Sequence, residues 1–353
     1  MDALRELIKM SDYEPDSGEM KHLFELALQT RLSRDEIKKE FTSDASFRNT
    51  YKKLKDRYLE EVLLNDFADS SEYNQRLCAI WKKFTQVKLL FKAGKKKAAV
   101  SIAVEVLSSA KKFGIAEIAL DMSRELMNYY AVVEPNRRKF REYQTKSNHY
   151  AQAMRDEVRA QEVFNLLALE VKLGVAPSSI REDLKELAQL AETNEEYRFR
   201  LYYYSARNLY RRLKKDREGI VNTCEDALDF FEASKVRMSP LVKWNFHFHL
   251  IPILISQKRY DKARQRLRMC IGLTFQGNHN YHATLLLKAV CGICSGRIGD
   301  ASDALKLAGE EWHFKSEAVV ECWLMVQDCI KRVESGESYE VVGTVLLHRV
   351  YSV

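Results

Sequence analysis

The stretch Arg297-Ile298-Gly299-Asp300-Ala301-Ser302-Asp303-Ala304 sets the fold of this chain. A bulky apolar segment ends just before it, a short polar turn follows, and small residues open the next segment. The same order recurs at Gln257-Lys258-Arg259-Tyr260-Asp261-Lys262-Ala263 and at Ala93-Gly94-Lys95-Lys96-Lys97-Ala98-Ala99. Corresponding residues such as Ile220, Ala263 and Ala304 recur roughly every forty positions, the length consumed by two helices of four or five turns plus two loops. Stacked helical hairpins are the expected product, and arrays of this kind present an extended binding surface.

Composition supports the same reading. The 353 residues suit two or three domains or one long solenoid. With 13 Gly and 5 Pro, breakers are scarce, so loops are few and helices long. Hydrophobic residues make up 46% and charged residues 30%, the balance of a folded chain and not of a disordered one. A net charge of +7, from 57 basic and 50 acidic side chains, permits an acidic partner without demanding nucleic acid. Seven cysteines sit mostly inside apolar helical stretches, which reads as reduced core thiols in a reducing compartment. Met1 to Met20 holds no apolar leader segment, and the longest apolar run, Leu250 to Ile255, is too short to cross a bilayer. The expected location is cytoplasmic.

Helical periodicity and capping signals predict an amino-terminal module over residues 1–72, with helices at 19–31, 34–41 and 46–65. Ser33 followed by Arg34-Asp35-Glu36 is a capping-box pattern. Asp44 or Ser46 is expected to cap the third helix. The acidic, polar stretch 66–74 marks the boundary. Beyond it Trp81, Phe84, Val87 and Phe91, then Ile102, Val106 and Ala110, recur at helical spacing. Phe113-Gly114 stops that second helix. Further helices are expected at 115–133, from Pro135 to Leu173, and from Pro177-Ser178-Ser179 to about Glu192. The series continues at 195–214, 217–234, 240–257, 260–275, 280–297, 300–311 and 315–335. Residues 339–353 fit either a strand by their valines or one helix face; the expectation is a terminal capping helix, because an array must cover its last apolar face.

On these residues the chain resembles a tetratricopeptide-repeat-like (TPR-like) protein. The resemblance is clearest over Leu286 to Glu311, where Gly292 stands for the small residue at which paired helices touch, Gly299-Asp300 for the turn, and Ala304 and Ala308 for the small packing residues. Asn245 to Leu273 and Trp81 to Ala110 are similar through Tyr260-Asp261-Lys262-Ala263 and through Gly94 and Ala99. The aromatic residues usual early in each first helix are mostly missing, and the repeat is longer than the family's. The resemblance covers about residues 75–335. It implies an all-α fold in which TPR-like α-α hairpins form a right-handed superhelical solenoid, flanked by the amino-terminal module and a capping segment at 336–353. It also implies a non-enzymatic, peptide- or protein-binding scaffold that needs no cofactor.

Several constellations bear on function. Cys291-Gly292-Ile293-Cys294, with His279 and His282 upstream, invites a metal reading. His282 and Cys291 on one helix are roughly 13 Å apart along its axis, too far for one tetrahedral ion. No strand precedes the pair as a thioredoxin-like site requires, so small core residues are the expectation. His247 and His249 point to different sides of a helix and cannot share a metal. Pro252 reads as a kink.

The richest recognition stretch is Tyr197 to Arg212. Arg200, Tyr204, Arg207 and Arg211 follow helical spacing as one basic, aromatic stripe, and Arg and Tyr combine contact area with directional hydrogen bonds. Phe199, Tyr203, Ala206, Tyr210 and Leu213 make a second, apolar stripe. The expected groove, lined by the first helix of each pair, takes Arg200, Tyr204, Arg207, Arg211, Asn245, Phe248, Ile293 and Arg297, with the arginines clamping acidic groups. The alternative is a peptide-sensing regulator whose 34–65 helix-turn-helix, carrying Arg48, Lys52, Lys53, Lys55 and Arg57, contacts DNA or a partner protein. Basic clusters at 95–97, 137–139, 211–215 and 262–268 are interspersed with acids, which places nucleic acid behind a protein or peptide segment as partner. No glycine-rich phosphate loop or nucleophile elbow is present in the sequence, and Glu310-Glu311 lie on different helix faces.

Overall fold

The computed structural model describes residues 4, 5, 8, 13–16, 18–29, 32–64, 71–174, 180–276, 278–309 and 317–352. Among them every regular element is helical and no strand occurs. The helices are α1 (Gly18–Leu28), α2 (Arg34–Lys39), α3 (Asp44–Leu64), α4 (Glu72–Lys92), α5 (Lys96–Lys112), α6 (Ala116–Asn128), α7 (Arg137–Leu173) and α8 (Ile180–Ala191). They continue with α9 (Tyr197–Leu213), α10 (Arg217–Ala233), α11 (Pro240–Ser256), α12 (Tyr260–Gly272), α13 (His279–Cys294), α14 (Ile298–Ala308), α15 (Glu317–Glu334) and α16 (Tyr339–Ser352). The chain divides into two compact units, Met1–Ala99 and Val100–Val353, with the division in the first turn of α5 rather than at 66–74.

In the first unit Leu23, Ile37, Phe47, Leu54 and Tyr58 form the core of α1–α3. The Ser33 hydroxyl accepts from the Glu36 amide at 3.3 Å, and the Glu36 carboxylate accepts from the Ser33 amide at 2.7 Å. These bonds hold the Glu36 carboxyl below its ordinary range. The cap of α3 departs from expectation. The Ser43 hydroxyl accepts from the Ser46 amide at 3.1 Å, while the Ser46 hydroxyl is turned to Glu19 of α1 at 2.8 Å. Arg5 donates to the carbonyls of Ala27 and Leu32 at 3.0 and 2.7 Å, satisfying groups that the end of α1 leaves open.

In the second unit one local device recurs. After α9, α11, α13 and α15 the chain takes a left-handed residue, in turn Lys215, Lys258, Gly296 and Gly336. The following amide bonds the carbonyl five residues back: Asp216 to Arg211, Arg259 to Leu254, Arg297 to Gly292 and Glu337 to Arg332, at 2.9–3.0 Å. This closure satisfies helix-end carbonyls and reverses the chain within three or four residues. Each first helix is thereby returned as a second helix against it: α9 packs on α10, α11 on α12, α13 on α14 and α15 on α16. Successive hairpins touch through α10–α11, α12–α13 and α14–α15, and the first helices α11, α13 and α15 pack in sequence as a layer. Gly292 sits at the tightest helix pair, where an added Cβ would lie 2.9 Å from the Ala301 amide nitrogen and 3.0 Å from the Arg297 carbonyl.

The stretch 115–133 is α-helical only to Asn128 and then passes into a π-helical turn, Tyr129–Val133. Asn136, not Pro135, opens the long α7: its side-chain oxygen accepts from the Lys139 amide at 3.0 Å. Gly174, at φ +67°, closes that helix as the sequence predicts. The expected opening of α8 at Pro177-Ser178-Ser179 lies outside the described residues, as does Glu310-Glu311. α11 continues through a buried Pro252, and the ambiguous carboxy-terminal stretch is the helix α16.

Candidate functional site

The eight residues expected to line one groove have other tasks. Arg200 donates from Nε to the Asn194 carbonyl at 2.8 Å and from a terminal nitrogen to the Ala191 carbonyl, closing the end of α8. Its guanidinium also lies 5.0 Å from the Phe230 ring centre. Tyr204 is 6% exposed. It packs among Tyr203, Phe230, Phe231 and Phe246, and burial raises its phenol pKa. Arg207 pairs with Asp226 of α10 at 3.3 Å. Arg211 pairs at 2.6 Å with Asp216, whose carboxylate also accepts from the Gly219 amide; this amide bond first, and the arginine after it, lower the Asp216 pKa. The basic stripe of α9 therefore serves the α8–α10 packing.

On the later helices Ile293 is fully buried, which corrects its assignment as an exposed anchor. Phe248 is half-buried and stacks on Trp244 with ring centres 4.6 Å apart. The Trp244 indole nitrogen donates to the Thr284 hydroxyl at 2.9 Å. Asn245 is half-buried and Arg297 exposed, one within α11 and the other in the turn before α14. Five of the eight are thus core residues or already partnered inside the protein, and Tyr204 and Ile293 have no exposed surface to offer a ligand.

The other tempting groups are interior as well. Cys291 and Cys294 are 1% and 5% exposed, and burial pushes their thiols up to about 11 and about 12. They are protonated at neutral pH and poor nucleophiles. Among the described residues no three His, Cys, Asp or Glu side chains are placed to hold a metal ion. His247 accepts at Nδ1 from an Arg266 guanidinium nitrogen at 2.8 Å when its other nitrogen carries the proton. Burial first, and Arg266 next, depress its pKa to about 4. In the first unit Arg48 pairs with Asp44 at 3.0 Å, and Arg57 pairs with Glu61 at 2.9 Å, which neutralises part of the basic face of α3.

An open concavity lies instead between α5 and α7, with a volume of about 420 Å³. Its floor is Leu107, Tyr143 and Tyr150, all buried. Val104, Ser108 and Lys111 rise along α5; Thr145, Lys146 and His149 rise along α7. Both walls are held by their surroundings. The Lys112 carbonyl, at the end of α5, accepts from the Arg237 amide at 2.7 Å. Tyr143 stacks on Tyr130 of the π-helical turn, ring planes within 4° and centres 5.8 Å apart. The Tyr130 hydroxyl is 2.9 Å from Lys139 Nζ, and Lys146 Nζ lies 4.8 Å from the Tyr143 ring centre.

The groove is electrostatically graded. Lys111 and Lys146 stand in its rim, Lys146 sharing its charge with Glu142 at 2.6 Å. At the other side His149 Nε2 meets Glu196 at 3.0 Å. Beyond it Arg198 bridges Glu117 and Glu157 at 3.1 and 3.4 Å. The Glu157 pKa is raised because burial outweighs its pairing with Arg198. An apolar, aromatic floor between cationic and acidic margins is suited to bind an extended or helical segment with apolar anchors and acidic neighbours. Sequence reasoning passed over these residues. Tyr143 and Tyr150 share a face of α7, but nothing in the order of residues brings α5 alongside them.

No family model, curated protein or solved structure matches this chain. The class defined by the fold is an all-α protein built of helical hairpins, and its function is argued from its own geometry.

Proposed function

We propose that this chain is a non-enzymatic scaffold that captures a protein or peptide segment, and that its hairpins stack as a TPR-like right-handed solenoid. The α5–α7 groove carries the reading: it combines an apolar floor with the accessible cations Lys111 and Lys146. The repeated left-handed closure after α9, α11, α13 and α15 supports the solenoid, since one turn geometry used repeatedly gives one hairpin geometry. Seven unpaired cysteines, six of them buried, fit a reducing, cytoplasmic setting. The ligand is a segment with leucine-like anchors and carboxylates.

A short fluorescent peptide of alternating Glu and Leu tests this by anisotropy. Wild type should bind it saturably, more weakly as salt rises. Lys111→Glu with Lys146→Glu should abolish the signal while the helical circular dichroism stays intact. Equal affinity in the double variant would refute the groove.

A further inference from the structure

The last helix is seated unlike the second helices before it. α12 packs on α11 and α13, and α14 packs on α13 and α15, so each fills the cleft between two consecutive first helices. α16 packs most extensively on α13, and also on α15 and α11. It lies across a layer of three first helices.

The fit is tightest at one residue. A Cβ on Gly343 would stand 2.8 Å from both Cα and Sγ of Cys294 and 3.0 Å from its nitrogen, so only glycine allows this approach. Val342 and Leu346, each 1% exposed, flank the contact. At the start of α16 the Glu340 carboxylate accepts from Lys258 Nζ at 3.2 Å. Val290, Cys291, Ile293 and Cys294 are no more than 5% exposed. Cover from several sides explains why α13 is apolar all round toward its end.

The hold on α16 is slight. Val341 and Val345 on its other flank are 63% and 51% exposed. Lys258 and Glu340 are both solvent-exposed, and such pairs add little. The turn leading into the helix holds Gly336 at φ +103°.

We infer that the wall of α11, α13 and α15 is a helix-binding surface, occupied in cis by α16 and matched to an amphipathic helix of a partner protein. That helix carries the spacing of Glu340 to Leu346: an acid facing Lys258, a branched apolar residue two positions on, a small residue next, and leucine three beyond. The small residue discriminates, because the wall meets it with Cys294 backbone, which cannot yield as a side chain tip can. This surface is separate from the α5–α7 groove and stands or falls without it.

The test uses the full chain carrying Gly343→Val, which removes α16 from the wall, and a fluorescent synthetic peptide of residues 339–352. The peptide should bind the variant at least tenfold more tightly than it binds wild type, and a peptide carrying the same Gly343→Val change should not bind. A folded variant that ignores the wild-type peptide overturns the proposal. If the variant does not fold, a protease site placed in the 335–338 turn of the otherwise unaltered chain decides the matter. After cleavage, exchange of α16 for labelled peptide with the rest still helical supports the helix-binding wall. Unfolding on cleavage, or no exchange, overturns it.

Discussion

α9 and the α5–α7 groove are built from the same kinds of residue and used in opposite ways. α9 carries a run of arginine and tyrosine, yet Arg200 closes α8, Arg207 and Arg211 pair with Asp226 and Asp216, and Tyr204 lies in an aromatic core. The groove has fewer charges and a plainer sequence, but Lys111, Thr145 and His149 remain exposed above buried tyrosines. Residue type reports what chemistry a stripe can do; its neighbours decide whether that chemistry is spent inside the fold. On a helix packed by α7, α8 and α10, as α9 is, arginines are drawn to nearby carbonyls and carboxylates before any ligand arrives.

The contrast can be broken most severely at Tyr204. Tyr204→Ala should cost about 3–5 kcal/mol, the loss typical of a buried aromatic ring. Denaturant unfolding measures it, and peptide affinity per folded molecule should not move. A second interior test is pH. The folded-state pKa of His247 lies at about 4, below the ordinary 6.5. Its contribution to stability is therefore complete above pH 6.5 and is lost as pH falls from there toward 4, on the order of 3 kcal/mol. Stability measured across that window should fall in wild type and flatten in His247→Gln.

The open side is tested by Val104→Asp. Val104 is 42% exposed, so the change should leave stability within about 0.5 kcal/mol. Binding of the Glu-Leu peptide should weaken roughly tenfold, or about 1.4 kcal/mol. The smallest effect belongs to the turn joining α9 to α10. Lys215 holds φ at 54°, a left-handed conformation that glycine adopts without steric cost. Lys215→Gly should stabilise the protein by about 0.5–1 kcal/mol, visible as a higher Tm with unchanged binding.

Much of the helical order was legible in the sequence. Helix lengths, the Ser33–Glu36 cap, the stop at Gly174 and the closeness of helices at Gly292 follow from local chemistry that the residues state directly. Turns closed by Lys215 and Lys258 were harder, because lysine does not advertise a left-handed conformation. The π-helical turn at Tyr129–Val133 carries no local breaker and was read as plain helix. The site was legible least. Arg200 reaches Ala191 and Asn194 across a loop, and Ile293 is buried under a helix some fifty residues further on. Such placements depend on which helices become neighbours, and periodicity within one helix does not encode that.

Hydrogen–deuterium exchange of the chain with and without the Glu-Leu peptide bears most directly on where the ligand sits. Slowed exchange is expected over 104–111 and 143–150, with α9 unchanged. Protection confined to 200–211, with no change in α5 or α7, would contradict the assignment of the groove.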